Sequence, residues 1–317
     1  TSDVDTAAEN PNAPVGRILG HEGVGRIVSV GSEVKDFKPG DIVAVPAVTP
    51  MWRNLDVQDC NHQHSGGYLG GRYLSSKWDG MFAEYFKVPD VDLNVAKIPD
   101  GVSLEAAALV GDMVTTGFHG VELADVKFGD RVCVIGIGPV GLMSVAGCVL
   151  RGAAEIYAVG HRPVTRGLAM QYGATATIDY QDGPIVEQVM KLTGGQQIEK
   201  VIIAGGEPTV FNDALALVKY TGTVANLAGH GRTELLLPIY TNESGFGFCA
   251  HKTVTGGLCP GGRRRIERLM GMVKTGRFEP EKLITHRFYG LDGIEEAFDL
   301  MKSKNPEVIK PIIYFDK

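Results

Sequence analysis

Cysteine is scarce and scattered in this chain. The five cysteines, at positions 60, 133, 148, 249 and 259 of 317, form neither a paired framework nor a C-x-x-C knuckle. That excludes a disulfide-stapled scaffold and a four-cysteine metal site, and it fits a reducing cytoplasm. Cys133 and Cys148 fall in apolar strand and helix contexts, where cysteine acts as a small buried hydrophobe. Long apolar runs are also missing: none reaches about 18 residues, so no membrane span is expected. Positive charge is in short supply, 31 Lys and Arg against 37 Asp and Glu, and the net charge of -6 argues against a nucleic-acid or anionic-membrane partner. The sequence opens on Thr1, with no initiator methionine and no signal-like segment, as a processed chain or a fragment would.

What is present is an apolar run that breaks into three spaced glycines, Arg131-Val-Cys-Val-Ile-Gly-Ile-Gly-Pro-Val-Gly-Leu142. Gly136, Gly138 and Gly141 fill G-x-G-x-x-G, with Pro139 and Val140 opening a helix. The first glycine suits a tight turn, the second lets a pyrophosphate approach the backbone, and the third permits close helix packing. In a chain with 42 glycines the motif alone is weak, but its context supports a dinucleotide site. Val132 to Ile135 reads as a buried parallel strand, Val140 to Leu150 as an apolar helix, and Ile156 to Val159 as the next strand of a βαβ unit. A structural turn in another α/β fold is the alternative.

The length suggests about two domains. From Ile18 to Val48 short β-branched runs punctuated by glycine and proline imply an antiparallel or barrel-like region, with strands at Val24 to Val30 and Ile42 to Val45. Thr49 to Trp78 reads as a long irregular excursion. Further strands are expected over Met81 to Val88 and Leu93 to Ile98, and Ser103 caps a short helix at Ala106 to Val110. Beyond the glycine turn, strands and helices alternate through Leu227, the signature of an α/β doubly wound parallel sheet. Two amphipathic helices, Arg263 to Lys274 and Gly293 to Ser303, precede a closing strand at Lys310 to Phe315. The change of pattern puts a boundary near Asp112 to Gly120.

The second strand of such a sheet ends against the adenosine ribose, where an Asp or Glu accepts from a 2′-hydroxyl. Here the chain reads Gly160-His161-Arg162, with no carboxylate and an arginine suited to bidentate phosphate contact. This favours NADP over NAD; a loop-decorating Arg162 is the alternative.

Leu19-Gly-His-Glu-Gly-Val-Gly25 sets an imidazole beside a carboxylate. Alone, His21 reads as structural. Together with Gly31-Ser-Glu-Val-Lys-Asp-Phe-Lys-Pro-Gly40, His62-Gln-His-Ser-Gly-Gly67, Asp112-Met-Val-Thr-Thr-Gly-Phe-His-Gly120, the glycine turn, Gly256-Gly-Leu-Cys-Pro-Gly-Gly262 and Ile309-Lys-Pro311, it resembles the zinc-dependent medium-chain alcohol dehydrogenases, in particular their NADP-dependent secondary alcohol branch.

That resemblance covers essentially the whole chain. It implies a GroES-like β-rich catalytic domain at residues 1–115, a Rossmann NADP-binding domain at 116–258, and a return to the catalytic domain at 259–317. It implies Zn²⁺ on His21, Glu22 and Asp112, with His21, Asp112 and a proton-relaying Ser2 as catalytic residues and Asp3 orienting the histidine. NADP(H) is expected against Gly136, Gly138, Pro139, Val140, Gly141, Gly160, His161, Arg162, Tyr180 and Lys310. A cytoplasmic homotetramer acting on small alcohols and ketones follows from the same likeness.

The chain also departs from the family. The cysteine zinc ligand of the pattern would immediately precede Thr1, so a fragment as written is expected to bind zinc poorly. A relay histidine is replaced by Asp5, a serine by His161, a pocket tryptophan by Arg72, and an asparagine and tyrosine by Ala228 and Gly229. His62 and His64 are expected to serve packing. A zinc-free quinone or enone reductase of the same architecture, or a dinucleotide-binding protein without catalysis, are the alternative functions.

Overall fold

A computed structural model of the chain describes residues 3, 4, 7, 16–59, 78–230, 234–235 and 251–315. The chain divides into two compact units, Thr1–Thr115 with Cys259–Lys317, and Thr116–Leu258.

The first unit opens with β1 (Gly23–Arg26), β2 (Ile42–Val45) and β3 (Ala96–Lys97), a three-stranded antiparallel sheet in that order. Its inner residues Val43 and Val45 pack with Phe37, Met81 and Val95 in one apolar cluster. The expected strand at Met81 to Val88 does not form. Met81 and Phe82 donate backbone hydrogen bonds to Gly20 and Leu19, each 2.9 Å, and the segment then bends away. The run expected as a strand from Leu93 is split: Val91–Asn94 is one helical turn, and only Ala96–Lys97 is extended. The buried Asn94 amide donates to the carbonyls of Pro50 and Pro89, which favours the turn over a ladder.

Helix α1 (Leu104–Leu109) starts at Ser103, whose hydroxyl accepts from the Ala106 N–H at 3.1 Å. It runs into a π-helical turn, Val110–Val114, before α2 (Thr115–Leu123). Such single π turns concentrate at functional sites, and this one carries Asp112.

The second unit holds β4 (Arg131–Ile135), α3 (Pro139–Leu150), β5 (Glu155–Val159), α4 (Pro163–Gln171), β6 (Ala176–Ile178), α5 (Ile185–Leu192), β7 (Ile198–Ile203), α6 (Val210–Leu217), β8 (Val218–Asn226) and β9 (Thr253–Gly256). The six strands are all parallel, in the order β6-β5-β4-β7-β8-β9. The order reverses between β4 and β7, so the ligand-binding crevice of a doubly wound sheet falls at the carboxyl ends of those two strands. Apolar residues fill both faces of the central strands, as burial under helices demands. Among the described residues no helix is long and apolar enough to cross a membrane.

The chain then re-enters the first unit with α7 (Arg263–Lys274), β10 (Ile284–Tyr289), α8 (Asp292–Lys302) and β11 (Lys310–Tyr314). Strands β10 and β11 pair in parallel.

Candidate active site

In the first unit, His21 sits just before β1 and is 5% exposed. Its Nδ1 lies 3.0 Å from Asp3 Oδ2 and its Nε2 lies 3.2 Å from Asp112 Oδ2. The local backbone explains the placement. Gly20 N–H donates to Asp3 Oδ1 at 3.2 Å, anchoring the acid beside the histidine. Asp112 arrives because Gly111 lies flat on β2: a Cβ there would stand 2.6 Å from the Val45 carbonyl oxygen, and the Gly111 carbonyl accepts from Ala47 N–H at 2.9 Å. Burial alone would lower the pKa of His21, but the two flanking carboxylates outweigh it and raise it to about 9.

The spacing suits a metal. Two ligand atoms on a tetrahedral zinc with bonds of about 2.0–2.1 Å stand about 3.3 Å apart, and the His21 to Asp112 separation is 3.2 Å. Glu22 is engaged otherwise. One carboxylate oxygen pairs with Lys310 Nζ at the start of β11, while the other is buried without a hydrogen-bond partner among the described residues. Burial pushes the Lys310 ammonium down to about 8, with the Asp3 carboxylate working the other way. Among the described residues no group of three or more His, Cys, Asp or Glu side chains is gathered to hold a metal ion. Two of the three predicted ligands, His21 and Asp112, are therefore together, with Asp3 behind them, and Glu22 is on Lys310. Ser2, Asp5, Cys60, His62, His64, Arg72 and Cys249 lie outside the described residues.

In the second unit the glycine turn joins β4 to α3 at the point of strand reversal. Gly136 has φ 90°, and a Cβ there would stand 2.6 Å from Gly205 N, beyond β7. A Cβ on Gly141 would stand 2.0 Å from the Gly136 carbonyl oxygen. Gly138, by contrast, would place a Cβ in open space. It precedes Pro139 at the first position of α3, and no side chain caps the helix. Val140 and Gly141 follow in the first turn, so the helix presents its positive end beside Gly138, where no atom would crowd a Cβ, the setting for an anion.

At the end of β5, Gly160 N–H donates to Ile178 O at 2.9 Å, bringing the 160–162 loop alongside the end of β6. Arg162 is half-buried at the N-terminus of α4, and burial lowers its pKa. His161 Nδ1 lies 3.0 Å from Asp179 Oδ2, and its ring centroid is 5.9 Å from that of the exposed Tyr180.

Residues 1–100 match the alcohol dehydrogenase GroES-like domain and residues 139–274 the zinc-binding dehydrogenase domain. The chain is 53% identical over 314 residues to the NADP-dependent isopropanol dehydrogenase of Thermoanaerobacter brockii, covering 99% of this chain and 89% of that protein. The chain belongs to the zinc-binding alcohol dehydrogenase family. It is also 51% identical to the NADP-dependent isopropanol dehydrogenase of Clostridium beijerinckii, over 99% of this chain and 89% of that protein. Zinc dependent alcohol dehydrogenase 2 from Streptococcus pneumonia, in its apo form, superposes with a TM-score of 0.83 at 29% identity, over 95% of this chain and 84% of that one.

As in other zinc-binding alcohol dehydrogenases, the parallel α/β sheet is a Rossmann domain and the antiparallel strands belong to a GroES-like domain. Three features of this family member were not visible in its sequence: the pairing of Lys310 with Glu22, the π turn under Asp112, and the part of Asp179 and Arg166 beside His161. For Asp179 a signal existed. It stands one residue past the strand that borders Gly160, where a doubly wound sheet brings two strand ends together.

Proposed function

We propose that this family member is an NADP(H)-dependent zinc oxidoreductase that interconverts secondary alcohols and ketones. The observation that carries the reading is the buried His21 set between Asp3 and Asp112, in a chain whose relatives at 53% and 51% identity are named NADP-dependent isopropanol dehydrogenases. His21 and Asp112 would hold Zn²⁺, and Glu22, which pairs with Lys310, would supply a third ligand only on leaving that lysine. Zn²⁺ held by these residues would supply Lewis-acid polarisation of the substrate oxygen, and NADP(H) would supply or accept the hydride.

The remaining work belongs to the chain itself. Asp3 Oδ2, 3.0 Å from His21 Nδ1, sets the ring by its charge, which would present Nε2 to a metal. Ser2 relays the alcohol proton. Gly136, Gly138, Pro139, Val140 and Gly141 cradle the pyrophosphate, Gly160, His161 and Arg162 receive the 2′-phosphate, and Tyr180 completes the nucleotide contacts, while Lys310, expected there, is held on Glu22 in the first unit. Residues 1–115 with 259–317 form the catalytic domain and 116–258 the cofactor domain. The protein works in the cytoplasm as a homotetramer.

Zinc-loaded protein is expected to oxidise NADPH in the presence of a small ketone such as acetone, to lose that activity on chelation and to regain it with Zn²⁺. Ketone reduction that survives complete chelation would overturn the reading in favour of a zinc-free enone or quinone reductase. NADPH binding without turnover at full zinc occupancy would reduce it to a binding protein.

A further inference from the structure

The turn that carries Asp112, Val110–Val114, is π-helical, a rare form whose placement propensity does not decide. Its neighbours must decide it instead. On the N-terminal side Gly111 lies against β2, where its carbonyl accepts from Ala47 N–H at 2.9 Å. On the C-terminal side the turn ends at Thr115, whose N–H donates to the Asp112 carbonyl. Whatever holds Thr115 therefore holds the backbone of the acid.

Thr115 is fully buried, and its side chain is gripped from elsewhere in the first unit. The hydroxyl donates to the Pro260 carbonyl at 3.1 Å and accepts from Arg265 Nε at 3.0 Å. A hydroxyl has one hydrogen, so donation to Pro260 turns its lone pairs to the guanidinium and fixes the rotor. Arg265 Nη2 also donates to the Thr115 carbonyl at 3.3 Å, so one planar fork grips both the hydroxyl and the backbone of the same residue. Arg265 stands in the first turn of α7, a helix that packs against the π turn. The clasp joins chain far apart in sequence. Thr115 is the last residue of the first unit before the chain leaves it, and Pro260 follows Cys259, where the chain returns.

We infer that Thr115, clasped by Arg265 and the Pro260 carbonyl, is a positioning residue that holds Asp112 in place for the metal. The inference rests on the reading of His21 and Asp112 as zinc ligands. Gly111 on β2 fixes one flank of the acid and the clasp fixes the other, so its placement is decided within the first unit.

The test is the zinc affinity of the full chain, measured by competition with a chelator, together with the visible absorption of the Co²⁺-loaded form, which reports the geometry around the metal. Thr115→Val keeps the shape and removes the hydroxyl. Zinc affinity should then fall about tenfold, the low end for loss of a partner outside the ligand set, and the Co²⁺ band should change. Thr115→Ser, which keeps the hydroxyl, should restore most of the affinity. Arg265→Lys keeps the charge but not the fork and should also weaken zinc binding; it carries the test if Thr115→Val does not fold. NADPH affinity should be unchanged in every variant. Full zinc affinity and an unaltered band in Thr115→Val and Arg265→Lys, whatever their melting temperatures, would overturn the inference and leave the zinc reading standing. A loss in Thr115→Val that Thr115→Ser does not restore would overturn it as well. Failure of the unmodified chain to bind either metal would overturn the zinc reading and this inference together.

Discussion

The glycine turn of the second unit and the histidine site of the first are built by opposite strategies. The turn is made of backbone: Gly136 to Gly141 are contiguous, and what matters is where side chains are missing. The histidine site is made of side chains brought from afar, Asp112 lying 91 positions from His21 and Lys310 lying 288 from Glu22. A backbone site survives most substitutions at its neighbours but none that adds bulk. A side-chain site tolerates bulk nearby but depends on each donor.

The sharpest way to break that contrast is to exchange the insults. Asp112→Ala removes a donor and should lower zinc affinity more than a hundredfold, since loss even of an outer-shell partner costs about 10- to 100-fold. NADPH affinity should stay within about twofold. Gly141→Val adds bulk where a Cβ already stands 2.0 Å from a carbonyl oxygen. It should cost about 3 kcal/mol, the upper end for overpacking a core, and abolish NADPH binding while zinc per chain is retained. Metal analysis and fluorescence titration on each variant check both. Similar losses of zinc and cofactor in either variant would mean that the two regions are not independent.

Smaller changes sharpen the contrast within each unit. Asp3→Asn keeps the shape beside His21 but removes the charge behind it, and zinc affinity should fall about 10- to 100-fold. Glu199, at the opposite ends of the strands from the glycine turn, offers a cofactor-free control. Burial alone would raise its pKa, but Arg131 and Lys219 hold it down at about 2. Because the folded value lies below the unfolded one, its stabilisation is present above pH 4.5 and is lost as pH falls toward 2. Glu199→Gln should flatten acid unfolding in that window by about 1 kcal/mol, the scale of a partly exposed pair, and leave NADPH binding unchanged.

The same division explains how much was legible beforehand. The turn, the alternating strands and helices of the second unit and the Ser103 cap all stand in the sequence because each is written over a few consecutive residues. Strand Met81 to Val88 was misread because alternation describes a face, and here the backbone pairs only briefly with residues 18–20 before bending. The engagement of Glu22 by Lys310 has no local signature. Desolvation and charge decide it across most of the chain's length. Asp112 was assigned by resemblance, yet the π turn that presents it depends on Gly111 meeting β2, a contact that helical periodicity does not encode.

Ser103 is where local and long-range determinants meet. Its hydroxyl caps α1, a helix of only six residues whose inner positions Ala106 to Leu109 are buried. So short a helix is marginal by propensity alone and depends on its cap and its packing. The π turn with Asp112 follows directly, so the end that carries the functional acid depends on the end that is capped. Ser103→Ala should cost about 1 kcal/mol, the usual worth of an N-cap, and Ser103→Thr should restore most of it. If the side-chain site depends on its scaffold as argued, Ser103→Ala should also weaken zinc binding by a few-fold while NADPH affinity holds. A stability loss with unchanged zinc affinity would show that packing of Gly111 on β2 places Asp112 without help from the cap.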